Sequence, residues 1–288
     1  MPIYNCETYV GAAIEAQLEQ TYTDFELVIT DNASTDRSEE ICRAYAARDP
    51  RIKYHRTAEN LGATANYRLC LEFSVGEYFR WNPCDDLVSP NLVERAVDIL
   101  DRDDSIFLAY ARTKIIDGEG NLITDFNENM HLMDDLPSVR WRGVLENLRL
   151  GNVHYGLSRA RILRKTGLLR NFSGGDFPLI AEMSLYGKFY EISDAFFYRR
   201  MHERAASALK NNSDIMVFYD PKHCERFFSY NLFHLVVRLK SVVRAPIPLL
   251  EKLRIFGYEV HRTISGRKEF GREIVAALRE TAKKFDRR

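Results

Sequence analysis

Apolar positions in the first third of the chain follow two alternating patterns. Residues 25–30 (FELVIT), 52–56 (IKYHR), 77–81 (EYFRW) and 106–111 (IFLAYA) are short runs rich in β-branched and aromatic side chains, the composition of strands. Between them, Val10, Ile14 and Leu18 recur at the spacing of one helical face, as do Ile41 and Tyr45, and SPNLVERAVDIL opens like a capped helix at Ser89-Pro90. Strands alternating with helices predict an α/β fold, a mostly parallel central sheet with helices on both faces. A second block follows. Residues 137–150 and 176–187 read as helices, and 152–158, 188–193 and 196–202 as strands, the last ending in basic residues. After Asn211 the pattern becomes long helical stretches broken at Pro246 and Pro248, which predicts a body over residues 1–212 and a C-terminal helical extension over 213–288.

In sheets of this class, ligands bind beyond the carboxyl ends of the strands. Two polar stretches fall there, TDNASTD after residues 25–30 and NPCDD after 77–81, so the expected site contains Asp31, Asn32, Asp85 and Asp86. Adjacent aspartates repel, and a cation between them and a ligand would offset that. They also serve as ordinary caps of the following turn.

Charge adds a polarity to this picture. The 288 residues carry 41 Lys+Arg and 41 Asp+Glu, so no whole-molecule field points to nucleic acid. Residues 222–288 nevertheless hold 16 basic and 7 acidic residues, leaving the rest of the chain acidic. Within that tail, LVVRLKSVVR and EFGREIVAALRETAKKF set apolar residues beside Lys and Arg, with Phe270, Ile274 and Leu278 on one face. Such helices dock on the body or on a second subunit as a homodimer, or lie peripherally on the inner face of an anionic membrane. Five scattered cysteines without C-x-x-C spacing speak against a disulfide framework or a zinc site and fit a reducing cytoplasm. The sequence has neither an apolar run of membrane-spanning length nor a signal-like start.

Six motifs in order resemble the family 2 glycosyltransferases of GT-A fold: PIYNCETYVGAAIEAQLEQTYTDFELVITDNASTD, ENLGATANYRLCL, GEYFRWNPCDD, GNVHYGLSRARIL, GGDFPLIAEMSLYGKF and YRRMH, across residues 2–202. The resemblance implies a nucleotide-binding half over 1–112 and an acceptor and catalytic half over 113–212. It implies a nucleoside-diphosphate-sugar donor with a divalent cation, Mn²⁺ or Mg²⁺, on its diphosphate, and inverting transfer to a glycan or lipid-linked glycan in polysaccharide synthesis. Carried over by motif, Tyr4, Asp31 and Asn32 lie at the base, Asp85 and Asp86 at the cation with His202, and Arg199 and Arg200 at diphosphate oxygens. Asp176 matches the base that deprotonates the acceptor. Two departures stand out. The family's first strand precedes its P-x-Y-N turn, which implies a natural start upstream of Met1, and Pro83 replaces the usual first aspartate of the D-x-D region.

Physical chemistry fits these roles and leaves others open. Carboxylates are hard ligands suited to Mg²⁺ or Mn²⁺, and which of Asp85 and Asp86 takes the metal does not follow from register. An Asn at position 32 can both donate to and accept from a base edge, and it can equally form an Asx turn. A carboxylate at a helix N-terminus, as at Asp176, is held ionised by the dipole, while Glu182, six residues on, points elsewhere. Cys84 has no neighbouring His in sequence to activate it. The same constellation also suits a silent nucleotide-sugar-binding protein. A nucleotidyltransferase would use a glycine-rich, lysine-containing phosphate loop near the N-terminus, which this sequence lacks.

Overall fold

The computed structural model describes residues 1–172, 174–203, 205, 208–209, 212–221 and 230–266. The first part comprises β1 (Pro2–Ile3), α1 (Val10–Leu18), β2 (Leu27–Asp31), α2 (Ser38–Ala46), β3 (Ile52–Arg56), α3 (Ala63–Phe73), β4 (Tyr78–Phe79), β5 (Leu87–Val88), α4 (Leu92–Arg102) and β6 (Ile106–Ile116). It continues with β7 (Leu122–Phe126), α5 (Pro137–Asn147), β8 (Leu157–Arg159), α6 (Ala160–Leu163), α7 (Asp176–Tyr186), β9 (Lys188–Arg200), α8 (Asn212–Tyr219), α9 (Tyr230–Arg244) and α10 (Leu249–Ser265).

Strands β1, β2 and β3 form a parallel sheet in that order. All five residues of β2 are buried because helices cover both faces. Leu27 and Ile29 pack with Val10 and Ile14 of α1 and Cys42 of α2, whereas the alternate Thr30 hydroxyl meets Asn66 O and Cys70 Sγ of α3. Of a first strand, β1 pairs Pro2 with Thr30 and Ile3 with Asp31, and the buried Met1 nitrogen donates to Val28 O at 2.6 Å.

The second sheet has the order β4-β8-β6-β9-β5, with β7 on the edge of β6. Here the parallel expectation holds only for β6 and β9; the other pairings are antiparallel. Residues 188–193 and 196–202, read as separate strands, are instead mostly one. Its register against β6 jumps from Ala111↔Ile192 to Arg112↔Phe196, so Ser193, Asp194 and Ala195 bulge out where Asn91 Nδ2 donates to Asp194 O. Residues 152–158 are corrected too: Asn152–Tyr155 form a 3₁₀ turn and strand begins at Leu157. Only Tyr78 and Phe79 of residues 77–81 pair as strand, and Trp81 is sunk in the core with its indole N–H donating to Tyr67 O at 2.8 Å.

That core holds Trp81, Phe107, Trp141, Phe189 and the α7 residues Leu179, Ile180 and Met183 together with Val242 of α9, Ala245 just after it and Ile255 of α10. Polar ties fix the same junction. Glu182 on α7 takes Arg244 of α9 at 2.8 Å and the Ser241 hydroxyl at 2.9 Å, and Glu251 on α10 accepts the Ser138 N–H of α5 at 2.8 Å. The described part of the basic tail therefore docks on the body. The helix read at residues 269–285, with Phe270, Ile274 and Leu278, lies outside the described residues.

Candidate active site

A cleft of about 470 Å³ opens beyond the carboxyl ends of β1, β2 and β9. Tyr4, Asn32, Asp85, Asp86, Arg199, Arg200 and His202, drawn from four separate segments, all line it. Asp31 and Asp176 do not. Asp214, Val217 and Phe218 of α8 form one wall. The end of α8 rests on Gly62, whose φ of +85° suits only glycine and where a Cβ would run into the Tyr219 carbonyl and come within 2.8 Å of the Pro221 ring.

The acidic pair divides its labour. Asp86 is buried, and its Oδ1 accepts the Arg200 N–H at 2.7 Å, tying the end of β9 to the loop before β5. Burial and the neighbouring Asp85 push its pKa well up, against the opposing pull of that N–H and of Arg199 and Arg200. Asp85 keeps a quarter of its side chain exposed, and its Oδ2 lies 3.0 Å from His202 Nε2. His202 is held in turn by Tyr9, 4.6 Å away ring to ring. Tyr9 also lies under the Arg200 guanidinium, and its only trace in the sequence is its place in the first motif.

The two arginines differ as well. Arg200 donates to the carbonyls of Asp85, Asp117 and Gly118 at 2.9, 3.2 and 2.9 Å, so its side chain clamps backbone rather than standing ready for diphosphate oxygens as expected. Arg199 donates to Leu150 O at 3.0 Å and to Asn152 Oδ1 at 2.5 Å. A hydrogen bond with Cys6 and burial push the Cys84 thiol pKa well above the usual range, which disfavours the thiolate.

At the other wall, Tyr4 is 43% exposed and presents its ring to the cleft. Asn32 donates from Nδ2 to Asn60 Oδ1 at 2.8 Å and accepts the Leu61 N–H at 2.8 Å, which makes Asn60, unmarked within the ENLG motif, part of the same wall. Asp31 lies beneath. Its carboxylate, with no exposed surface, takes the Ser34 N–H at 2.8 Å, the Tyr54 hydroxyl at 2.6 Å and the Arg56 guanidinium, so the side chain is consumed by the turn and by β3.

Asp176 is the first residue of α7, packed against Gly151. Gly151 has φ +72°, and a Cβ there would come within 2.7 Å of Asp176 Oδ2, so a glycine makes room for the carboxylate. Burial raises the Asp176 pKa, and His154, the first amide groups of the helix and Arg199 pull it back. The dipole thus acts as expected but is outweighed. His154 is buried and hydrogen-bonded through Nδ1 to Gly151 O, and burial lowers its pKa against the opposing pull of Asp176. Among the described residues no three His, Cys, Asp or Glu side chains converge into a closed metal site.

Comparison with known proteins gives this constellation a context. Residues 1–169 match the family model described as Glycosyl transferase family 2. Over 216 residues, 73% of this chain, the sequence is 29% identical to the chondroitin synthase of Escherichia coli, of which the match covers 29%. The chain spans less than half the length of the first curated relatives it matches. Its fold is similar to that of S. aureus TarS 1–349, solved in complex with UDP-GlcNAc, at a TM-score of 0.65 and 18% identity, covering 92% of this chain and 71% of that one. It is also similar to the mannosyltransferase PcManGT from Pyrobaculum calidifontis, solved with GDP-Man and Mn²⁺, at a TM-score of 0.52 and 14% identity over 96% of this chain and 84% of that one.

Proposed function

We propose a donor and a reaction from one premise: the chain belongs to glycosyl transferase family 2, with the GT-A fold. It moves a sugar from a nucleoside diphosphate to a hydroxyl of a glycan or lipid-linked glycan, with inversion, in the making of a cell-surface polysaccharide. The observation that carries this reading is the Asp85–His202 pair, 3.0 Å apart on the wall of a cleft beyond strand ends, with the Arg199 guanidinium on the same lining. Solved neighbours in complex with UDP-GlcNAc and with GDP-Man and Mn²⁺ support the donor class.

A divalent cation fits these residues. One carboxylate and one imidazole are two donors, which would leave coordination positions for diphosphate oxygens. When bound, Mn²⁺ or Mg²⁺ supplies Lewis-acid stabilisation to the departing nucleoside diphosphate. Asp86 holds the end of β9 so that His202, two residues beyond Arg200, stays opposite Asp85. Tyr4 offers a face to the base, and Asn32 with Asn60 offers amide edges, while Asp31 supports that turn from below. Asp176, set off the cleft lining but within electrostatic reach of Arg199 on it, takes the proton of an acceptor hydroxyl that enters on that side. Its raised pKa makes it a stronger base than an ordinary aspartate.

The test is direct. The protein is incubated with Mn²⁺ or Mg²⁺, a panel of nucleotide sugars and glycan acceptors, and released nucleoside diphosphate is measured. Release with at least one donor is expected, and its loss on chelation tests the cation. Donor binding without release under any acceptor would identify a binding protein and overturn the transferase reading.

A further inference from the structure

The α9–α10 hairpin buries one side against α5 and α7 and leaves the other bare. On α10 the inward face carries Glu251, Ile255 and Glu259, all buried. Leu249, Leu253, Val260 and Ile264, at spacings of four, seven and four, fall on the opposite face, with Leu250 at its border, and each is more than half exposed. Gly257 lies on the same face, and a Cβ built there would meet nothing within 4 Å, so this strip has no cover among the described residues. On α9, Leu232, Val236 and Val243 repeat the pattern opposite the buried His234, Ser241 and Val242. The two strips approach each other at the turn, where Lys252 Nζ donates to Val243 O at 2.8 Å. Val243 is 65% and Leu249 71% exposed there, and Pro246 and Pro248 between them are exposed as well.

Basic residues flank this apolar surface. Arg238, Arg244 and Arg254 are neutralised by Glu259, Glu182 and Glu251. Exposed Lys240 and half-buried Lys252 have no carboxylate partner among the described residues, and exposed His261 borders the α10 strip. No described helix is long and apolar enough to cross a membrane. An apolar strip edged with unneutralised lysines, at the basic end of a chain whose remainder is acidic, is the composition of a surface that lies in a lipid interface.

We propose that this hairpin face docks the protein on an anionic phospholipid bilayer, with Val243, Leu249, Leu250 and Leu253 entering the headgroup region and Lys240 and Lys252 meeting lipid phosphates. Charge decides between this and a second copy of the chain. Two-fold pairing through the strip would set two lysine-edged faces against each other with Glu251 and Glu259 of α10 buried away from them, whereas an anionic surface pairs each lysine. Docking concerns a face formed by α9 and α10, so it stands or falls independently of the transfer reaction. If that reaction holds, a lipid-linked acceptor is the class of substrate that the docked orientation favours.

The 288-residue protein is mixed with phosphatidylcholine vesicles, with and without phosphatidylserine, and floated on a density gradient. Flotation with the anionic vesicles alone is expected, weakening as salt is raised. The triple variant Leu249→Ser, Leu250→Ser, Leu253→Ser should abolish flotation while its circular dichroism melt stays unchanged, because these side chains touch solvent. Lys240→Glu with Lys252→Glu should weaken it by roughly fivefold or more per charge. Flotation that is absent, or equal on neutral vesicles, or untouched by the triple variant overturns the proposal. So does a dimer in light scattering that the triple variant dissolves, which would make the face a self-interface.

Discussion

At the end of β2, Asp31 meets a serine amide, a tyrosine hydroxyl and an arginine from β3, and has no surface left. Across the cleft, just ahead of β5, Asp85 faces open space with a single imidazole beside it. Both are aspartates on the cleft side of the sheets, and what separates them is the neighbour. Parallel register sets Arg56 directly opposite Asp31, so the fold itself neutralises that charge. Asp85 has Arg200 nearby, but Arg200 takes its backbone carbonyl and leaves the carboxylate to the cleft. A strand-end acid is available for chemistry only where the adjoining elements decline to satisfy it.

The contrast is sharpest when extended to the third acid. Asp176→Asn should cut turnover by roughly 10² to 10⁴-fold, the scale of a general base, with donor affinity nearly unchanged in a titration of the nucleotide. Activity that survives would remove Asp176 from the reaction. Asp85→Asn should cost on the order of 10² in turnover through lost cation binding, partly recovered at higher Mn²⁺, as a metal titration of initial rates would reveal. Its counterpart Asp31→Asn should leave the rate per folded molecule within a few-fold yet cost about 1 to 3 kcal/mol in urea unfolding, because buried donors lose a charged acceptor. A dead but fully stable Asp31→Asn would collapse the distinction. The smallest effect is in pH. Burial raises the Asp176 pKa, so on rising pH the unfolded chain releases that proton first and stability falls between the ordinary aspartate value and the raised one. Turnover, which needs the ionised form, should rise across the same window, placing the acid limb of the rate profile above an ordinary aspartate's. Asp176→Asn should abolish the stability slope attributable to this residue.

Much of this was legible along the chain. Strands β2 and β3 and helices α1 and α2 follow from runs of β-branched and aromatic residues and from helical spacing, whereas the two residues of β1 are too short a run to mark a strand. The second sheet resisted reading because strand direction leaves no mark in composition, and because the bulge at 193–195 looks like a break until Asn91 and β6 are present to hold it. Asp85, Asp86, His202 and Arg199 were identified by motif and do share a cleft. The burial of Asp31 was not legible, for it depends on which strand supplies Arg56. His154 was hidden in a segment whose apolar neighbours suggested strand, although Gly151 ahead of it was a cue for the left-handed turn that seats Asp176.

The seat of α8 on Gly62 bears on time rather than on affinity. If the proposed donor occupies the cleft, Asp214, Val217 and Phe218 flank it, and the helix seated on Gly62 would border the way out of the spent nucleotide. Where product release limits an enzyme, the residence of that nucleotide, and hence the interval between one transfer and the next, is governed by how firmly such a wall is seated. The absence of a single methyl group at position 62 would then act as a timing element for the whole cycle.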